Sequence, residues 1–525
     1  MPLLSFLFEN LTDKSQKIPA IEVSHITNNS RDVTQNTLFL AYPGEKADGR
    51  QYISQAISQG AVAICYDPSD NFVLENKTIP CIAVKNLKIT QSEIAARFYD
   101  FPSKKIPVIG VTGTNGKTSI THFIAETYST GSRARQRAVC GIVGTMGYGF
   151  PPHLIKTANT TPDGLHLQKI FAELMDDGAQ AIAMEVSSHA LSQQRVNDIQ
   201  FHTAVFTNLT QDHLDFHKTM ENYRDAKELL FSMMCAGYSH QPEKKHSVAH
   251  AAAWAHDHLK NAVINIDDDA GRYFAAKYKN KLNVMTYSRS QKNADITVLK
   301  CLPTENGFDL TVKTPWGTGD FHLPLIGTFN IENALATLGV LGFFKIPLDS
   351  ILKKLSHLKT VNGRMQLLHT KPYIIVDYAH TPDALEKVLH SVREHCSGKL
   401  LCVFGCGGDR DKTKRPIMGL IADHLADQII ITNDNPRSES PNQIAQDILN
   451  DVKNKNKFTI ELDRAKAIKK AIQSADKNDW ILIAGKGHET EQVMADQILH
   501  HSDTECVLAQ VAQTIKECRN RSLRR

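Results

Sequence analysis

An apolar strand that runs straight into a glycine-rich turn and then a helix constrains this chain most. Ile106 to Thr118 reads IPVIGVTGTNGKT, and SITHFIAETY follows. The loop from Gly113 through Thr114, Asn115, Gly116, Lys117, Thr118 and Ser119 has the makings of a phosphate cradle. Glycines let backbone N–H groups approach phosphate oxygens, the lysine supplies charge, and a threonine hydroxyl suits Mg²⁺. The helix that follows presents its N-terminus, which favours anions. The spacing departs from the standard G-x-x-x-x-G-K-[ST] pattern, because Val111 stands where the first glycine belongs. A strand, turn and helix in this order imply an α/β fold with a mostly parallel sheet.

The chain has 525 residues, too many for one core, so roughly three or four domains are expected. Lys and Arg total 60 against 56 Asp and Glu, and a net charge of +4 argues for neither nucleic acid nor membrane as partner. Ten cysteines occur without a CxxC pair, which fits a reducing cytoplasm better than a disulfide framework or a zinc site. The N-terminal MPLLSFLFENLTDK lacks a basic start and a cleavage site, so it reads as a short helix with a buried Leu/Phe face rather than a signal peptide. No stretch approaches the roughly 18 apolar residues of a membrane span.

Three units follow from the pattern. Residues 1–103 alternate short strands (TLFLAYP, AVAICYD, CIAVKN) with helices, and DFPSKKIP reads as a linker. Residues 104–360 alternate strands and helices around the phosphate loop, with apolar runs AQAIAMEV, TAVFTNL and NAVINID. Residues 361–525 repeat YIIVDY, KLLCVFG, QIIITN and DWILIAG, near-continuous apolar runs that imply parallel strands covered on both faces. The segment 237–260 carries His240, His246, His250, His256 and His258 without metal-ligand spacing, and reads as a surface insertion.

Ligands of open parallel sheets bind at the carboxyl ends of the strands, and polar clusters recur there. Glu185, Ser187, Ser188 and His189 follow one run, and Asp212, His213 and Asp215 another; Glu185 is placed to supply the carboxylate that a phosphate-bound Mg²⁺ requires. In the third unit, Arg410, Asp434, Arg437 and Glu489 offer both charge signs after successive strands, a set suited to a zwitterion such as an amino acid.

These motifs in their order resemble the Mur ligases, ATP-dependent amino acid ligases of cell-wall synthesis, and within them the branch that adds meso-diaminopimelate. The motifs are NSRDV at 29–33, TGTNGKT at 112–118, NTTPDG at 159–164, EVSSHAL at 185–191, TNLTQDHLDFH at 207–217, DAKELLF at 225–231, VDYAHTPDAL at 376–385, FGCGGDRDKTKRP at 404–416, DNPR at 434–437 and GKGHE at 485–489. The resemblance implies a small N-terminal α/β domain, a central P-loop ATPase-like domain and a C-terminal Rossmann-like domain. It implies that Lys117 and Thr118 bind ATP phosphate and Mg²⁺, that Glu185 is a further Mg²⁺ ligand, and that His213 holds a second Mg²⁺. Lys227 matches a lysine that is carbamylated in the family; a carbamate offers Mg²⁺ oxygens and negative charge where an ammonium would repel it. Without the resemblance, Lys227 reads as an exposed helical lysine.

Ser30, Thr160, Thr161, Ser187, Gln193 and Arg195 match positions that hold the UDP-muramoyl dipeptide, and Asn330 and His380 fall near the nucleotide. Arg410, Asp434, Asn435, Arg437, Gly485 and Glu489 match the diaminopimelate pocket, where Arg437 would grip a carboxylate that lysine lacks. The implied reaction joins meso-diaminopimelate to the D-glutamyl side-chain carboxylate of UDP-N-acetylmuramoyl-L-alanyl-D-glutamate through an acyl phosphate, in a cytoplasmic monomer serving cell-wall growth, cell shape and division. Asn29 for an expected Asp, SESP at 438–441, Thr490 and the His-rich insertion depart from the family pattern. A folate-type amino acid ligase is the alternative enzyme, and a nucleotide-binding scaffold the alternative class; Lys117, Glu185, His213 and Lys227 together argue against the scaffold.

Overall fold

The computed structural model describes residues 1–13, 15–44, 47–74, 78–128, 139–236, 260–304 and 306–522. The His-rich insertion falls almost wholly outside the described residues.

Three sheets carry the chain. The first has four parallel strands in chain order, His25–Thr27, Thr37–Ala41, Ala61–Tyr66 and Cys81–Ala83. The second has eleven strands, and its parallel centre runs Asn283–Ser288, Asn261–Asn265, Phe201–Phe206, Val108–Thr112, Ala181–Glu185, Cys140–Gly144. The third orders Gln366–Thr370, Tyr373–Asp377, Trp480–Ala484, Leu400–Phe404, Gln428–Ile431 and Phe458–Ile460, parallel except for its first strand.

The apolar runs are continuous because helices cover both faces. Along the central sheet, Ile109, Val111, Ala183 and Val205 enter one core with the helices Lys117–Tyr128 and Phe329–Phe343. Their alternate neighbours Val108, Ile182, Met184, Ala204 and Phe206 enter another, against Gly164–Asp176, Met220–Ala236 and Asp269–Tyr278. The third sheet divides in the same way, with Cys402 and Leu482 facing one side and Val403 and Ile483 the other. Period-two alternation with no polar face is the mark of a sheet buried on both sides.

Two features go beyond the sequence reading. DFPSKKIP is no free linker: Pro102–Lys105 forms a helical turn, and the buried Ser103 Oγ accepts a hydrogen bond from Gln200 N at 3.1 Å. The central sheet also carries antiparallel flanks, Gly147–Phe150 and His153–Ile155 at one edge and, beyond Ile296–Thr304, which still runs parallel to Asn283–Ser288, Gly307–Thr314 and Gly317–Leu323 at the other. The N-terminal unit docks on the helix Gly164–Asp176. Gly164 lies so close to Ser92 that a Cβ would sit 2.3 Å from its Cβ, and Leu165 joins the N-terminal core. The described cysteines are free thiols, and no helix among the described residues is long and apolar enough to cross a membrane.

A buried ion pair fastens the C-terminal helix Asp503–Ser522. Arg464 Nε and Nη2 each donate to an Asp503 carboxylate oxygen at 2.7 Å, with both side chains fully buried. Burial opposes the charge on Asp503, but attraction to Arg464 and hydrogen bonds from Arg464 and His501 outweigh it and hold the carboxyl far below its usual range. A depressed carboxylate adds stability that is present above the unfolded value of about 3.9 and fades as pH falls below it. Asp503→Asn is therefore expected to cost roughly 3–5 kcal/mol at neutral pH and to flatten the acid limb of the stability curve below about pH 4. Denaturant melts across pH test this; an acid limb unchanged in the variant would contradict it.

Candidate active site

The phosphate loop sits where the strands Val108–Thr112, Ala181–Glu185 and Phe201–Phe206 end side by side, with Val111 opposite both Glu185 and Val205. Its shape requires glycine. Gly113 has φ +148° and a Cβ there would meet Thr207 Oγ1 at 1.8 Å, while Gly116 has φ +87° and would meet Asn333 Oδ1 at 2.6 Å. Asn208 shapes the turn by accepting from Thr114 N at 2.8 Å through its carbonyl and from Asn115 N at 2.9 Å through its side chain.

Two lysines converge on this loop. Lys117 Nζ donates to the carbonyls of Gly113 and Thr114 at 2.9 and 2.8 Å, and Lys227 Nζ donates to the same Gly113 carbonyl at 2.8 Å. Lys227 is 1% exposed and lies 4.3 Å from the centre of the Tyr223 ring, so the exposed-lysine reading fails. Burial, with repulsion from Lys117, pushes its pKa well below the ordinary lysine value. A buried neutral amine is the form that adds CO₂, so the residue fits a carbamate.

Glu185 is 1% exposed and bonded only to neutral groups: Thr118 Oγ1 at 3.0 Å, Thr145 N at 2.9 Å and Thr145 Oγ1 at 3.2 Å. No lysine or arginine forms an ion pair with it among the described residues, and a buried carboxylate in that state fits a metal cation beside Thr118. His213 adopts φ +53° at the rim, 3.4 Å from Asp212 and packed edge-on to His189. Desolvation, with repulsion from His189 and both lysines, outweighs Asp212 and lowers its pKa, favouring the neutral imidazole that ligates metals.

Lys117, Thr118, Glu185 and His213 line a cleft of about 580 Å³ between the central and C-terminal sheets, to which Asn330, Arg364 and His380 also contribute. Asn330 is held by Ile326 O at 2.8 Å and Asn333 Nδ2 at 3.0 Å, and His380 Nδ1 lies 2.8 Å from Tyr378 O. Thr160 and Thr145 share a 3.1 Å hydroxyl contact, which brings Thr160 to Glu185. Thr161 is fully buried; its hydroxyl donates to Glu185 O and accepts from Ser187 N, and its carbonyl accepts from Arg195. Ser187 caps the short helix Ser188–Ser192, from whose end Gln193 continues. Ser30 lies apart in the N-terminal unit, 3.1 Å from Gln55 Oε1, and no contact joins it to Thr160 or Ser187 among the described residues. Asn29 serves its turn as an Asp would, accepting from Arg31 N.

The C-terminal cluster does assemble. Asp434 is buried with Oδ2 lacking any hydrogen-bond partner, and Gly485 has no side chain because a Cβ would sit 2.6 Å from that oxygen. Asn435 Nδ2 donates to Glu489 Oε2 at 3.0 Å. Arg437, at φ +52°, donates to Gly408 O at 2.8 Å, and Arg410 approaches it across Gly407, where a Cβ would lie 3.0 Å from Arg437 Nη1 and 3.7 Å from Arg410 Cγ. The cluster thus offers an orphaned carboxylate oxygen on Asp434 and two guanidinium groups around Gly407, charges of both signs that suit a zwitterion.

Comparison with known proteins agrees with this geometry. The Mur ligase middle domain matches residues 111–341, the Mur ligase glutamate ligase domain 363–487, and the Mur ligase family catalytic domain 22–99. The chain belongs to the Mur ligase family. A Coxiella burnetii Mur ligase, named UDP-N-acetylmuramoyl-L-alanyl-D-glutamate--2,6-diaminopimelate ligase, is 47% identical over 507 residues, covering 95% of this chain and 98% of the relative. A Pseudomonas syringae relative of the same name is 42% identical, over 92% of this chain and 94% of its own. A solved structure bearing that name superposes with a TM-score of 0.67 at 30% identity, covering 98% of this chain and 99% of that one.

Sequence reasoning missed several residues of this Mur ligase site. Arg364 reaches Thr118 Oγ1 at 3.4 Å from the segment joining the domains, where no motif marks it. Asp383, read only as part of TPDAL, accepts from Asn115 Nδ2 at 3.0 Å and Thr210 Oγ1 at 3.1 Å and so ties the C-terminal domain to the phosphate loop. Its place as an acid in a helix's first turn was visible; its partners 173 and 268 residues away were not. Asp383→Ala is expected to lower kcat/KM for ATP by about ten- to a hundredfold, the loss of a charge-assisted contact, with little change in melting temperature. Steady-state kinetics check this; an unchanged kcat/KM would contradict it.

Proposed function

We propose that this Mur ligase joins meso-2,6-diaminopimelate to the D-glutamyl side-chain carboxylate of UDP-N-acetylmuramoyl-L-alanyl-D-glutamate at the expense of ATP, as a cytoplasmic monomer supplying cell-wall precursor. The observation that carries this reading is the 47% identity over 507 residues to a ligase of that name, joined to Asp434, Arg410 and Arg437, charges suited to an amino acid with a second carboxylate.

A carboxylate is a poor electrophile, so its oxygen first attacks the γ-phosphorus of ATP, and the bond to ADP breaks. The diaminopimelate amine then attacks the acyl carbon, the carbon–oxygen bond to phosphate breaks, and the amine gives up a proton as the amide forms. Gly113 to Thr118 cradle the phosphates, and Lys117, held to the loop's own carbonyls, is ready to turn its charge to a phosphate oxygen. Thr118 and Glu185 would hold one Mg²⁺, and His213 with a carbamylated Lys227 a second. Magnesium, when bound, screens the repulsion between carboxylate and phosphates. Arg364 and Asp383 keep the C-terminal domain against the loop, which brings the amine to the activated carbon and excludes water.

Phosphate release in the purified protein should require ATP, the UDP-muramoyl dipeptide and diaminopimelate together. Release as fast without the amino acid as with it, or equal release with lysine, would overturn the assignment.

A further inference from the structure

We propose that Lys486 is a positioning residue that sets amino-acid selectivity by locking Asn435 and Glu489 into one acceptor edge; this rests on reading the pocket as the diaminopimelate site. Lys486 is fully buried between Gly485 and Gly487, whose φ values of +117° and +53° turn the chain tightly at this point. Neither glycine has room for a side chain. A Cβ at 485 would meet Asp434 Oδ2 at 2.6 Å, and one at 487 would meet Gly363 O at 2.6 Å and Tyr378 Cβ at 2.7 Å.

The turn delivers Nζ to Asn435 Oδ1 at 3.0 Å and to Glu489 Oε2 at 2.8 Å, and Asn435 Nδ2 closes the triangle on the same Oε2 at 3.0 Å. Asn435 follows the strand Gln428–Ile431 and Lys486 follows Trp480–Ala484, and Leu400–Phe404 lies between them in the sheet. The ammonium therefore bridges two loops over an intervening strand. No other bond of Lys486 Nζ is needed to explain its burial, because a buried ammonium requires a paired charge and satisfied donors.

The consequence is electrostatic. Lys486 pairs with Glu489 at 2.8 Å, so that carboxylate brings no free negative charge to the pocket. With Glu489 already paired, the pocket accepts diaminopimelate, whose two carboxylates balance its ammonium groups, and the Lys486 charge repels lysine, which carries an excess cation. A neutral residue at 486 frees the Glu489 charge and removes that repulsion. The fold should tolerate the change, because Val493 N still donates to Asn435 Oδ1 at 3.0 Å.

Lys486→Met, Glu489→Gln and the double variant, assayed with diaminopimelate and lysine and titrated with diaminopimelate by calorimetry, test this. Lys486→Met is expected to raise the diaminopimelate KM and Kd about tenfold and to cut its preference over lysine by a similar factor, with KM for ATP and the UDP-dipeptide within about twofold of wild type. The double variant should be no worse than Glu489→Gln, since Lys486 acts through Glu489. Unchanged selectivity, multiplying effects in the double variant, or a parallel rise in all three KM values with a fallen melting temperature would overturn the role of Lys486. A wild-type protein that neither binds nor ligates diaminopimelate would instead overturn the reading of the pocket.

Discussion

Lys227→Ala is expected to lower kcat by about a hundred- to a thousandfold, the scale of loss when one preorganised electrostatic group of an active site is removed, with the melting temperature nearly unchanged. The two halves of that expectation have separate physical origins. The side chain is buried with one carbonyl acceptor at 2.8 Å and a tyrosine face at 4.3 Å, and Lys117 repels it across the same carbonyl. An ammonium placed so contributes little to stability. Such a residue is retained for chemistry, and a neutral amine that captures CO₂ turns a liability into an oxygen donor for Mg²⁺. Carbon-13 bicarbonate should give the wild type a carbamate resonance that the Lys227→Ala variant lacks. Full turnover in that variant would contradict the role.

Arg437→Ala should reduce kcat/KM for diaminopimelate by about a hundred- to a thousandfold, as expected for losing two charge-assisted hydrogen bonds. The same change should shrink the preference over lysine from roughly ten-thousandfold, the range reached when a site is built around a polar group, to about tenfold. Arg437 is suited to this because the left-handed backbone and the bond to Gly408 O fix its guanidinium beside Gly407, and no carboxylate among the described residues forms an ion pair with it. Competing the two amino acids in one assay measures the ratio. A ratio that survives the substitution would move selectivity elsewhere in the pocket.

Residues whose chemistry is tied to a strand end were legible in the sequence. Gly113, Lys117, Glu185, Asp434 and Glu489 all follow apolar runs, and the runs themselves are legible because helices cover both faces of the sheets. The antiparallel flanks were not, since Gly307–Thr314 alternates buried and exposed positions without a motif to draw attention to it. Residues that act through a distant partner were also hidden. Asp383 meets Asn115 from another domain, Lys486 meets Asn435 across a strand, and the burial of Lys227 depends on how its helix packs against the phosphate loop. Thr161 shows the reverse: the motif marks it for substrate, but its hydroxyl is engaged by Glu185 O and Ser187 N.

Oxygen-18 in the D-glutamyl side-chain carboxylate of the UDP-dipeptide tests carboxylate activation most directly. If ATP phosphorylates that carboxylate and the amine then displaces phosphate, each phosphate released carries one labelled oxygen and the other stays in the new amide. Unlabelled phosphate accompanying amide formation would contradict the acyl phosphate route.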